Sequence, residues 1–93
     1  TNATNREVLR SLALQLAEGN NNDPDLITRA LTLHFLGQAL DEELHAKALL
    51  YFKSDIPANY YDDGSWNLTW AEAPFQVGNL LQFLVKLPEF QLS

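Results

Sequence analysis

Cysteine is absent from this sequence, so disulfides and Cys-ligated zinc are excluded. That absence leaves the compartment open, because cytosolic and exported proteins alike can lack cysteine. Basic residues are few: Arg6, Arg10, Arg29, Lys47, Lys53 and Lys86 form no cluster in the sequence, and the net charge is −6. Nucleic-acid binding needs a basic patch that releases counterions from phosphates, so that class is set aside. An acidic surface is equally unsuited to anionic lipid headgroups. No apolar run approaches the roughly 20 residues of a bilayer span, and no signal peptide is visible. Glycine and proline number four each and β-branched residues are sparse, which favours helices over strands. The chain opens at Thr1 without a methionine. It is read as a processed or excised piece of something longer, with residues 1–3 a remnant of expression.

What is present fits one small domain over residues 1–93. Apolar residues make up 46% of the chain, with leucine dominant, too high for intrinsic disorder and enough for a modest core. Thr4 and Glu7 stand in the spacing of a capping box. Val8, Leu9, Leu12, Ala13 and Leu16 then recur at helical spacing until Gly19 and the polar run Asn20 to Asn22. Asp23-Pro24 predicts a second helix, with Asp as N-cap and Pro at the first position, where its missing N–H is no loss. Leu26, Ile27, Ala30, Leu31, His34 and Phe35 mark its apolar face as far as Gly37. Asp41 caps a third helix, with Glu42 and Glu43 at its positive end. Leu44, Ala48, Leu49, Tyr51 and Phe52 supply the buried face, and Pro57 sets the latest possible stop.

The stretch Ser54 to Ala73 differs in kind. It mixes turn formers with Tyr60, Tyr61, Trp66 and Trp70, and predicts a long loop packed down by its aromatics, with a single turn near Thr69 to Glu72. The last helix runs from near Pro74 to just before Pro88. Phe75, Val77, Leu80, Leu81, Phe83, Leu84, Val85 and Leu87 cover nearly all its faces, which predicts the central helix of a bundle or one covered by a partner. Gly78 is expected to let a neighbour approach closely. The fold class is therefore all-α: a small four-helix bundle-like domain with a long aromatic-rich loop before the last helix.

Chemistry is sparse. There is no cysteine nucleophile, no G-x-S-x-G elbow and no glycine-rich phosphate loop. His34, on an apolar face, is expected to be a core histidine. His45, among Glu42, Glu43 and Lys47, is expected to be solvated. Asp55, Asp62 and Asp63, with the Asn67 side chain, could offer oxygen ligands to calcium, although the spaced acidic pattern and closing Glu of an EF-hand loop are missing. Seven of the ten aromatics fall between Tyr51 and Phe75. Tyr60, Tyr61, Trp66 and Trp70 beside Asp and Asn make a candidate glycan or small-ligand site, against the alternative that the two tryptophans anchor the loop to the core. Asn67-Leu68-Thr69 and Asn2-Ala3-Thr4 match the glycosylation sequon. No cofactor is expected.

The chain closes LLQFLVKLPEFQLS. This ending resembles the C-terminal end of a large bacterial family catalogued as domain of unknown function 1800, whose members often finish with an apolar helix running into Pro-Glu-Phe-Gln, here Pro88-Glu89-Phe90-Gln91. Leu87 stands where that family commonly has serine. The helical stretches upstream are similar in style. The resemblance implies a helical, often exported parent of several hundred residues with no established activity. It brings no catalytic residue. These readings converge on a non-enzymatic C-terminal structural or interaction module, extracytoplasmic by resemblance. Its last helix would dock on the remainder of the parent chain or on a second copy, with Phe90 tucked back on the core. The alternative is a ligand-binding module built on the 54–73 loop.

Overall fold

The structure, a computed structural model, describes residues 2–91, with side-chain detail for residues 7–88 and 90. Six helices follow one another: α1 (Asn2–Ala17), α2 (Pro24–Leu36), α3 (Glu42–Lys53), α4 (Ala58–Asp62), α5 (Ala73–Val85) and α6 (Pro88–Gln91). No strand occurs among the described residues. The four long helices are those the periodicity predicts. The two short ones are additions.

The helix ends have local causes. The α2 N-terminus is closed by Asp23, whose carboxylate accepts from the Leu26 N–H, with Pro24 in the first turn. At its other end Gly37 adopts the left-handed conformation, φ 74°, and donates its N–H to the Leu33 carbonyl, a geometry that a Cβ would strain. Asp41 caps α3 in the same way through the Leu44 N–H at 2.8 Å. The capping box expected at Thr4 does not mark a helix start, because α1 begins at Asn2. The Thr4 side chain lies outside the described residues, and Glu7 instead pairs with Arg10 at 3.1 Å.

The helix α5 packs on α1 and α3 and touches α2 and α6, which makes it the hub of the fold. Its inward stripe is Ala73, Gln76, Val77, Leu80 and Leu84, all buried, at the 3–4-residue spacing of one helical face. These meet Ala13 and Ala17 of α1, Ile27 and Leu31 of α2, and Ala48 and Phe52 of α3 in a single core. Two expectations are corrected here. The helix is not covered on every side, since Phe75 is 51% and Val85 41% exposed. A Cβ added at Gly78 would meet nothing within 4 Å, so no neighbour approaches closely there.

The segment expected to be one long loop contains α4 and a chain of local hydrogen bonds. Asp63 accepts from the Ser65 N–H and Asn67 from the Thr69 N–H, both short Asx turns. Turns occupy the stretch up to Glu72, which precedes α5 and makes no side-chain cap. Past Pro88 the chain turns back as α6 against α2 and α5. Phe90 remains partly exposed.

Candidate functional site

The aromatic segment is held to the bundle by buried polar bonds. Trp66 is 1% exposed and packs edge-on to Phe52, ring centroids 5.7 Å apart. Its indole Nε1–H donates to Gln76 Oε1 at 2.9 Å, and Gln76 Nε2 donates to the Phe52 carbonyl at 2.9 Å and to the Tyr61 hydroxyl at 2.7 Å. One buried amide thus ties α5, the end of α3 and the loop together. Burial pushes the Tyr61 phenol up to about 12, against the opposing pull of its Gln76 hydrogen bond. Arg10 Nη1 reaches across from α1 to the carbonyls of Leu68 and Trp70 at 2.7 and 2.8 Å. Gln76 carries no signal of its own in the sequence reading. Its position was legible all the same: it is the one polar residue on the inward register of an apolar helix.

Of the four aromatics considered as a ligand platform, Trp66 is therefore enclosed, and Tyr61 is half-buried under the Lys53 ammonium, 4.7 Å from its ring. Tyr60 and Trp70 remain nearer the surface and pack edge-to-face at 5.4 Å. The three aspartates considered for calcium are engaged locally or stand apart. Asp55 accepts from Asn79 at 3.1 Å, and hydrogen bonds from Ser65 hold the Asp63 carboxyl below its usual range. Among the described residues no group of three acidic or histidine side chains gathers as a metal site requires.

The two histidines exchange the roles expected of them. His34 is exposed, its ring edge-on to Phe35. His45 is 5% exposed, and its Nε2 lies 2.6 Å from Asp25 Oδ1. That contact, reinforced by Arg29, holds the Asp25 carboxyl below its usual value of 3.8 despite partial burial. Arg29 bridges Asp25 and Glu42 at 3.0 Å each, and its hydrogen bonds lower the Glu42 carboxyl too. These contacts clasp α2 to α3 in antiparallel register. A cavity of about 120 Å³ adjoins them, lined in part by His45 and Thr32. The hydroxyls of Thr28 and Thr32 are buried without partners among the described residues.

A larger concavity than that one lies between α3 and α5, with a volume of about 340 Å³. Tyr51 and Ser54 line it from the α3 side. Asn79, Gln82, Phe83 and Lys86 line it from α5 and its cap, and Leu87 from beyond. Tyr51 stacks on Phe83 with centroids 4.8 Å apart and planes 29° from parallel, yet remains 51% exposed. Leu50 beside it is 70% exposed. The sequence reading placed Tyr51 in the core. The structure puts it on the rim, because Phe52, one residue on, points inward at full burial.

Compared with protein-family models, with curated proteins and with solved structures, the chain matches none.

Proposed function

We propose that this chain is a non-catalytic structural or protein-interaction module, the C-terminal part of a larger bacterial protein, working outside the cytoplasm. Its expected partners are the remainder of that protein or a second copy, engaged through the outer face of the last long helix. The observation that carries this reading is the Tyr51–Phe83 stack, an aromatic pair at the rim of the core that borders a groove, with Tyr51 half open to solvent. Aromatic side chains that bring large contact area at low entropic cost are the usual anchors of interfaces. The most connected polar groups point the same way. Gln76, Trp66 and Tyr61 are spent on one another, and His45 and Asp25 on joining two helices, so their hydrogen bonds serve the scaffold. The bulk of the apolar last helix supports the resemblance-based reading of a closing element.

Site-specific photocross-linking tests this. A benzophenone amino acid placed at Gln82, on the groove, should give a discrete cross-linked product in the native host. The same group at Asn22, exposed elsewhere, should give none. Equal labelling from both positions, or none from Gln82, refutes the reading.

The Tyr60–Trp70 pair supports a second reading, a glycan-binding module using the 54–73 loop. Tryptophan fluorescence titrated with a panel of oligosaccharides addresses it directly. A saturable change that Trp70→Ala abolishes supports the glycan reading, and a flat response removes it.

A further inference from the structure

The chemistry of the groove's occupant can be read from where positive charge is left unspent. Arg10 is committed to Glu7 and to two loop carbonyls. Arg29 is held between Asp25 and Glu42, and Lys53 lies over the Tyr61 ring. The Arg6 side chain lies outside the described residues. That leaves Lys47 and Lys86, neither of which makes an ion pair among the described residues. Lys86 lines the α3–α5 groove, and Lys47, outside that lining, stands four residues before Tyr51, one turn along the same side of α3. The Asp55–Asn79 and Tyr51–Phe83 contacts show that α3 and α5 run antiparallel, so the two lysines fall beyond the aromatic stack at the same end. Among the described residues that line the groove there is no carboxylate, and Asp55, near its far end, is occupied by Asn79. Glu43, one turn before Lys47, forms no ion pair with it. Among the described side chains, a chain with net charge −6 thus presents its two unpaired lysines near its stacked aromatic groove.

This disposition selects among occupants. A second copy seated symmetrically would bring only the same groove, whose described lining holds Lys86 and no carboxylate to meet it. A permanently buried interface resembles a core cut in half. Here four of the seven lining residues, Ser54, Asn79, Gln82 and Lys86, are polar, a mixture suited to a partner that comes and goes. We infer that the groove takes an acidic amphipathic segment of a separate partner protein. One or two aromatic or large aliphatic side chains would rest on Tyr51 and Phe83, and the carboxylates would face Lys47 and Lys86. The inference rests on the reading of this groove as a docking surface but puts a separate protein in place of the parent's remainder or a second copy, and the test separates the two.

The probe is a displayed library of random 16-residue peptides, selected in parallel on the wild-type chain, on Tyr51→Ala and on the charge-reversed Lys47→Glu/Lys86→Glu protein. Circular dichroism verifies that each is folded. The expected result is a set of peptides with Asp or Glu flanking Phe, Trp or Leu. Their binding should be lost on Tyr51→Ala, and should fall about tenfold on charge reversal and again between low and physiological salt. Tyr51-dependent peptides with no acidic bias, or indifferent to charge reversal, overturn the inference and leave the docking surface standing. Absence of any Tyr51-dependent peptide overturns both. A concentration-dependent dimer in sedimentation that Tyr51→Ala dissolves also overturns the inference, since the groove is then filled by a second copy.

Discussion

Replacing Gln76 by alanine removes three hydrogen bonds at once from the middle of the fold. The Trp66 indole N–H and the Phe52 carbonyl are then left in a dry environment, while the Tyr61 hydroxyl, at a half-buried ring, can turn to water. Two orphaned buried groups cost about 1–3 kcal/mol each. The void left by the amide adds roughly 1 kcal/mol or more. Release of a buried, rotamer-rich side chain returns about 1–2 kcal/mol. The net expectation is a loss of about 1–6 kcal/mol, centred near 3–4. Total stability for a domain of this length is on the order of 5–14 kcal/mol, so the loss is a large share of it. Urea unfolding followed by helix circular dichroism and by tryptophan fluorescence should show the midpoint falling by about 1.5–3 M with the slope preserved. Gln76→Leu keeps most of the volume and isolates the hydrogen-bond share. Adding Trp66→Phe to it should recover part of the loss, because neither partner is then left waiting for the other. A loss below about 1 kcal/mol for Gln76→Ala, or strictly additive effects in the pair, would refute the claim that this amide ties loop, α3 and α5 together.

Three further outcomes follow from local geometry. Because the Tyr61 phenol is raised to about 12, the folded state holds that proton more tightly than the unfolded chain. Its contribution is present below pH ~10 and is lost as pH rises through 12. Discounted for its solvent-facing share, it should appear as about 1–2 kcal/mol of alkaline destabilisation in the wild type that Tyr61→Phe lacks. Asp25 has the opposite sign: with its carboxyl depressed, its contribution is present above pH ~4 and disappears as acid carries the pH below the folded value. Carbon-detected titration of Asp25 should therefore find a midpoint below 3.8 that His45→Ala moves upward, and an unmoved midpoint would deny the His45 contact its role. Glu18, a non-glycine residue at φ 51°, should yield about 0.5–1 kcal/mol of stability on replacement by Asn or Gly, read as a higher thermal midpoint.

The candidate groove was only half legible in the sequence. The apolar bulk of the last helix was plain, and so was its need for company, but Tyr51 was assigned to the buried face of α3 and nothing linked it to Phe83 and Lys86 of the last helix. A period of 3.6 residues identifies a face. It does not say where that face ends and the rim begins, and Tyr51 and Phe52 sit on either side of that line. The aromatic cluster was equally ambiguous. Trp66 and Trp70 are four residues apart and chemically alike, and only the position of Gln76 beneath one of them makes Trp66 a buried anchor.

What the sequence determined by itself lies within a turn or two of chain: the caps at Asp23 and Asp41, the stop at Gly37, the four long helices and the all-α class. Their free energies come from neighbours three or four residues away, so no distant partner can overrule them cheaply. The tertiary structure alone decided which histidine is buried, because His45 is enclosed by Asp25 from another helix while His34 meets no such partner. It decided that the 54–73 segment is pinned by Arg10 from α1 and Gln76 from α5, that Gly78 faces open space, and that Lys47 falls at the same end of α3 and α5 as the groove-lining Lys86. Each of these depends on a residue far away in sequence, brought near by burial of the shared core, and burial is a property of the packed assembly of helices that no single helix carries.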